Sequence, residues 1–239
     1  VVGVVWRGQT RRGSASDEGR RMIPDPTPLI GPTLVFLDFA GMAVFAATGA
    51  LAGARLRQDL VTIAFFAAVT GVGGGTLRDL LIGAPVFWVH DWRYVAVAVA
   101  VAVLIWFVGG KGWRLTALLW LDAIGMAAYG VIGAAKAMAY GVPPLICIVM
   151  GALTACFGGV VRDLLAGQPS ILLQREITVT AALLAASTFV GLRTMDVSVI
   201  LASAVAVVLG FGLRAGALVL GWSLPAFSPG ANEIPSEPS

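Results

Sequence analysis

Charge is what this 239-residue chain has least of. Lys, Arg, Asp and Glu together make up 12% of it, against 58% hydrophobic residues and a mean hydropathy of +0.90. A soluble globular domain carries about a quarter of its residues charged. A polytopic membrane protein is the class that accommodates this shortage. Histidine occurs once, at His90, and cysteine twice, at Cys147 and Cys156, so a three-ligand His/Cys metal site would need all three at one point, which two cysteines nine positions apart in one helical run do not allow. The two cysteines lie nine positions apart in one apolar run, about 13 Å along a helix, too far to bridge within it. No lysine follows either glycine run as a phosphate-binding loop requires, and no Ser/His/Asp set exists. Nothing here suggests an enzyme or a cofactor. The net charge of +3 sits in the N-terminal region and short loops, where it reads as topology signal, and nucleic-acid binding is not indicated.

Glycine, by contrast, is abundant, at 30 residues, and it is concentrated. Gly71 to Asp79 reads GVGGGTLRD, inside an apolar run from about Leu60 to Ile82. Thr154 to Asp163 reads TACFGGVVRD, so that Gly158, Gly159, Arg162 and Asp163 each lie 84 positions after Gly74, Gly75, Arg78 and Asp79. The same shift pairs Asp38 with Asp122, Gly41 with Gly125, Gly49 with Gly133 and Thr70 with Thr154. It needs no gap from residue 37 to 85, where 17 of 49 positions are identical.

Residues 1–33 are charged, then proline-interrupted, and read as a disordered tail. From there, seven apolar spans are expected at about 34–54, 60–83, 93–109, 115–138, 143–166, 176–192 and 197–214, each near the length that crosses a bilayer. The repeat groups them as 34–110 and 115–193, with a seventh span at 195–215 and a C-terminal tail at 216–239. Three spans per unit is an odd number, so the second unit enters from the opposite side. An inverted 3+3 repeat plus one follows, with its functional site near the pseudo-axis at mid-membrane. Arg55, Arg57, Lys111, Arg114, Arg175 and Arg214 on one side outweigh Arg93, Arg193 and Lys136 on the other. That predicts a multi-pass membrane protein with its N-terminus outside and its C-terminus cytoplasmic.

The embedded charges fall on the first, second, fourth and fifth spans: Asp38, Arg78, Asp79, Asp122, Lys136, Arg162 and Asp163. Charges inside the hydrocarbon are costly and normally face a bundle interior or a wet cavity. Glycines let a helix break, and a break exposes carbonyls that can coordinate a cation. The expectation is a narrow polar constriction lined by glycine backbone, Thr70, Thr154 and the two Arg-Asp pairs. Against it stands close packing, since Gly71 and Gly75 fit the small-xxx-small spacing of helix contacts. The Arg-Asp pairs read first as structural locks and second as ion contacts. Asp38 and Asp122 fit either helix capping or a cation-attracting vestibule. Lys136, whose counterpart is Ala52, reads as a snorkelling lysine at a span end, with gating or anionic-lipid contact second. Trp88, Trp92, Trp106, Trp113 and Trp120 read as an interfacial belt.

Two three-span repeats plus a seventh span, with GGGTLRD in one and FGGVVRD in the other, resemble the prokaryotic branch of the trimeric intracellular cation channel (TRIC) family, also labelled glycine transporter or UPF0126. The resemblance covers about residues 34–214. It implies a homotrimer with one pore per subunit, lined by the first, second, fourth and fifth spans, the second and fifth kinked at their glycines. It also implies permeation of monovalent cations, potassium first and sodium second. The motif positions carry over to Gly73, Gly74, Gly75, Arg78 and Asp79, and to Gly158, Gly159, Arg162 and Asp163. Phe157 stands where the second motif would have its first glycine. The Lys-Glu-Val motif of animal members is absent, so lipid gating is not implied. A secondary transporter of glycine or another small zwitterion is the alternative.

Overall fold

The computed structural model describes residues 32–108, 114–168 and 177–222, and these form eight helices. They are α1 (Pro32–Arg55), α2 (Leu60–Leu81), α3 (Phe87–His90), α4 (Arg93–Val108), α5 (Arg114–Ala139), α6 (Pro144–Leu165), α7 (Thr178–Thr194) and α8 (Val199–Leu220). The expected N-terminal tail, most of the C-terminal one, Lys111, Trp113 and Arg175 lie outside the described residues.

Helix ends follow local chemistry. Asp59 caps α2, its Oδ1 accepting from the Thr62 N–H at 2.9 Å, and these hydrogen bonds hold its exposed carboxyl below the ordinary range. Proline opens α1 and α6, where its missing N–H is no loss. Ser198 caps α8, and Gly221 closes it at φ 67°, a left-handed conformation suited to glycine. α8 therefore runs to Leu220, several residues past the expected end of the seventh span.

α1, α2, α5, α6 and α8 are 22 to 26 residues long, or about 33–39 Å, enough to cross the roughly 30 Å hydrocarbon core. α4 and α7 are apolar but shorter, at 16 and 17 residues. α3 was not expected. Four residues are too few to show a helical period, and Gly83-Ala84-Pro85 before it reads as a loop.

The chain packs as two matching halves. α1 lies on α2 and α4, and α5 on α6 and α7, while α1 meets α5 and α2 meets α6 across the centre; α8 lies outside the pattern, against α7 and α5. Contacts between the halves are reciprocal. A Cβ built on Gly41 would touch Tyr129 and Ala128, and one on Gly125 would touch Phe45 and Val44, the residues 84 positions earlier. Likewise Gly74 abuts the Thr154 carbonyl oxygen, and Gly158 the Thr70 carbonyl oxygen. Swapped pairs of this kind are what a two-fold axis generates. The axis passes between Phe45 and Tyr129, themselves repeat partners, whose rings stack at 5.2 Å and fill the centre.

Candidate functional site

Both glycine runs lie inside unbroken helix. α2 is helical at every residue from Leu60 to Leu81, and α6 at every residue from Pro144 to Leu165, so the expected break with freed carbonyls is not found. The glycines serve close approach instead. A Cβ at Gly74 would collide with the Thr154 carbonyl oxygen, one at Gly158 would lie 2.8 Å from the Thr70 carbonyl oxygen, and one at Gly75 2.5 Å from the Phe87 ring. Gly73 is different, its nearest neighbours being Val161 at 3.9 Å and Gly158 at 4.0 Å. Gly159 faces Arg162 and Asp122 at ordinary contact distance. Thr70 and Thr154 are buried at these helix contacts, with the Thr154 hydroxyl donating to the Met150 carbonyl at 2.6 Å, and they line no opening in this conformation.

Below the glycines in α2, Arg78 and Asp79 turn inward, 1% and 0% exposed. Arg78 Nε donates to Asp79 Oδ1 at 2.8 Å. Asp79 Oδ2 accepts twice more, from Lys136 Nζ at 2.9 Å and from the Phe87 N–H at 3.1 Å. The Lys136 pairing corrects the snorkelling reading. From α5, Lys136, only 9% exposed as a residue, reaches with its ammonium into the first repeat and not to a membrane surface. A charge so placed requires a partner, because an unpaired ion in low dielectric costs several kcal/mol. α3 exists in this setting. Its Phe87 ring lies under both cations, 5.9 Å from the Arg78 guanidinium carbon and 5.8 Å from Lys136 Nζ, and the Trp88 indole N–H donates to Thr76 Oγ1 at 2.9 Å. Trp88 is thus tied to α2 and not only to an interface.

Asp38 and Asp122 do not cap their helices. Asp38 Oδ2 accepts the Tyr94 hydroxyl at 2.6 Å, while Asp122 Oδ1 accepts Arg162 Nη1 at 2.6 Å. Arg162 also donates from Nε to Asp163 Oδ1 at 2.9 Å, the repeat image of Arg78 and Asp79.

The two halves also differ in how the arginine meets the acid of the preceding helix. Arg162 closes onto Asp122, whereas no ion pair joins Arg78 to Asp38. Asp38 Oδ1 and Arg78 Nη1, both buried, find no protein partner, and both residues line a cavity of about 290 Å³. In the second half Arg162 Nη2 alone among these atoms is so left. The cavity lies between α1, α2, α4 and α5, with Lys136 and Tyr94 in its wall and His90, Asp91 and Arg93 among its lining residues. Hydrogen bonds from Arg93, as close as 2.6 Å, hold the Asp91 carboxyl below its usual range. Tyr94 is positioned by stacking on Phe39 at 4.1 Å and meeting Phe87 edge-on at 4.6 Å.

Sequence reasoning missed Tyr94 and Phe87. Their repeat counterparts, Thr178 and Ile171, are neither aromatic nor alike, so no doubled motif marks them. Arg214, counted from the sequence with the charges of one membrane side, lies within α8 and is 1% exposed, which makes it a buried charge outside the four central helices. Neither it nor Lys136 can count toward loop charge.

Comparison with known proteins draws on the same features. A family model described as "Glycine transporter" matches twice, over residues 35–109 and 119–194, its two starts separated by the repeat length. A UPF0126 membrane protein of Vibrio cholerae is 35% identical over 213 residues, 87% of this chain and 88% of the relative. Among solved structures, the TRIC trimeric intracellular cation channel orthologue from Rhodobacter sphaeroides is 43% identical, with a TM-score of 0.78 over 80% of this chain and all of that one. A second TRIC cation channel, solved to explain conductance, is 28% identical with a TM-score of 0.71, covering 82% of this chain and 98% of that one. A doubled family match across most of the described residues, together with relatives alike over nearly their whole length, makes this chain a member of the TRIC/UPF0126 family of membrane proteins.

Proposed function

We propose that this protein is a potassium-permeable monovalent-cation channel of a prokaryotic plasma membrane, with sodium as a second permeant ion. One observation carries the reading: Asp38 of α1, Arg78 of α2 and Lys136 of α5 line a single cavity, and one oxygen of that acid, Asp38 Oδ1, has no protein partner. A carboxylate in a cavity wall attracts a cation, while paired neighbours keep the site nearly neutral so that the ion is not trapped. The pathway would run from this vestibule between α1, α2, α5 and α6, past Asp79 and Arg78, to the contact of Thr70 and Gly74 with Thr154 and Gly158, and out along Asp122, Arg162 and Asp163. Because the glycine contact is closed here, conduction requires α2 and α6 to part or bend at Gly73–Gly75 and at Gly158–Gly159.

The repeats, 34–110 and 115–193, would be inverted about an axis in the membrane plane, placing that contact near mid-bilayer. A homotrimer with one pore per subunit, N-terminus outside and C-terminus cytoplasmic, completes the proposal. The trimer is suggested by the name of the Rhodobacter relative.

The alternative is transport of glycine or a similar zwitterion, the activity named in the family model. It is favoured by the unpartnered Asp38 Oδ1 and Arg78 Nη1 in one cavity, which could take an ammonium and a carboxylate together. Purified protein in a planar bilayer with a potassium gradient separates the two. Unitary currents reversing near the potassium potential are expected. Electrically silent, saturable glycine uptake into vesicles, with no such currents, would replace the channel by the transporter.

A further inference from the structure

Bending a helix pulls backbone N–H groups away from the carbonyls one turn earlier, and in hydrocarbon a carbonyl so freed needs another donor. At the glycine run of α2 the carbonyls of Gly71 and Val72 are concerned, whose helical donors are the N–H groups of Gly75 and Thr76. Both already receive a second hydrogen bond. The buried Tyr129 hydroxyl, from α5, donates to the Gly71 carbonyl at 3.3 Å, and the Thr76 hydroxyl donates to the Val72 carbonyl at 2.7 Å. Thr76 is held in turn, because its Oγ1 accepts the Trp88 indole N–H at 2.9 Å. Each of these donors is a side chain, so neither bond needs the backbone bond beside it. A threonine hydroxyl returned to the carbonyl four residues back also favours bending of its helix.

The matching positions of the second repeat cannot do this. The residues 84 positions from Tyr129, Thr76 and Trp88 are Phe45, Val160 and Leu172, none of which carries a side-chain donor. α6 has one bond of the same kind, from the Thr154 hydroxyl to the Met150 carbonyl. The helical donor of that carbonyl is the Thr154 N–H, a full turn before Gly158, so the bond serves no carbonyl that a bend at Gly158–Gly159 would free. There the carbonyls of Ala155 and Cys156 would part from the N–H groups of Gly159 and Val160, with no donor from the side chains that match those of α2.

We propose that the glycine contact opens from one side: α2 bends at Gly73–Gly75 while α6 stays straight, and Tyr129 and Thr76 are the positioning residues that keep the Gly71 and Val72 carbonyls bonded through the bend. Trp88 of α3 orients Thr76 for that role. The glycines give close approach in the closed state; what sets α2 apart is where its carbonyls go when it bends.

The link to current rests on the channel reading; the bend itself does not. Full-length wild type, Tyr129→Phe, Thr76→Val and the double variant are compared by hydrogen exchange, read by mass spectrometry on peptides from 71–80 and 155–164, and by open probability at fixed voltage in the planar bilayer. The Gly75 and Thr76 amides exchange when the bend parts them from their carbonyls, so wild-type 71–80 should exchange faster than 155–164. Each hydroxyl supplies an extra bond in the straight helix and the sole one in the bent helix, and orphaning a carbonyl costs more than losing an extra bond. Each single variant should therefore slow exchange of 71–80 several-fold, leave 155–164 unchanged, and lower the open probability by a similar factor at an unaltered unitary current. The double variant should slow it further. A bond that merely stabilises the fold does the reverse, since its loss speeds exchange. Faster or unchanged exchange of 71–80 in the variants, or equal wild-type exchange in the two helices, would overturn the proposal. Thr76→Val decides alone if Tyr129→Phe does not assemble. Slowed exchange of 71–80 together with no wild-type current would keep the bend and remove the channel reading.

Discussion

Gly73 and Gly74 are neighbours in one helix, and replacing each by alanine separates two uses of a glycine run. If glycine matters through backbone freedom, the two substitutions should act alike, each stiffening α2. If it matters through close approach, they should differ in sign. A methyl group at Gly73 meets Val161 at 3.9 Å, an ordinary contact, and alanine gains about 1 kcal/mol of helix propensity over glycine. At Gly74 the methyl falls inside contact distance of the Thr154 carbonyl oxygen and 3.2 Å from its carbonyl carbon. Both obstacles are backbone, so no rotamer relieves them and α2 must move off α6. Overpacking of this kind costs about 1–3 kcal/mol, and rigid neighbours place it at the upper end. After the propensity gain, Gly74→Ala should lose about 1–2 kcal/mol while Gly73→Ala gains up to about 1. On the scale of a 150–250-residue domain, the thermal midpoints should then lie roughly 4–12 °C apart. Size-exclusion chromatography of heated, detergent-solubilised protein measures this directly. Equal midpoints, or Gly73→Ala as damaging as Gly74→Ala, would refute the contact reading and restore the hinge.

Lys136→Met should destabilise strongly, since breaking a buried ion pair costs about 3–5 kcal/mol. Asp79 keeps Arg78 and the Phe87 N–H, which places the loss near the lower end, and a midpoint unchanged from wild type would mean that Lys136 is not paired as described. Tyr94→Phe removes the donor to Asp38, so a loss of about 1.5–3 kcal/mol and an altered unitary current are expected in the same bilayer assay. Exchanging Arg78 and Asp79 would set a guanidinium against Lys136 and the Phe87 N–H, and should abolish the monodisperse peak on size exclusion. A well-assembled exchange variant with shifted selectivity would show that the pair contacts ions and does not lock the helices.

The membrane class, the helix positions and the 84-residue repeat were legible because each is a property of neighbours along the chain. Hydropathy needs only composition over a span's length, and the doubled Gly/Arg-Asp motif needs only a shift. That Gly74 touches Thr154 while Gly158 touches Thr70 was foreshadowed by that motif, yet the use of the glycines was not. Close packing and a broken helix want the same residue, and only the distance to a second helix separates them. The side chains that make the halves unequal were hidden for another reason. Tyr94 and Phe87 have no chemically similar partner 84 residues away, so no pattern singled them out, and Lys136, visible as an embedded charge, gave no sign of the carboxylate it meets.

What the amino-acid order determined by itself was therefore the symmetric part of this protein: apolar spans, two copies of one unit, and an acid, a base and glycines at fixed places in each. The tertiary structure alone decided the asymmetric part, namely which cation meets which carboxylate. A long side chain such as that of Lys136 can snorkel along its own helix or cross to Asp79. Which it does depends on the desolvated charge waiting on the helix opposite.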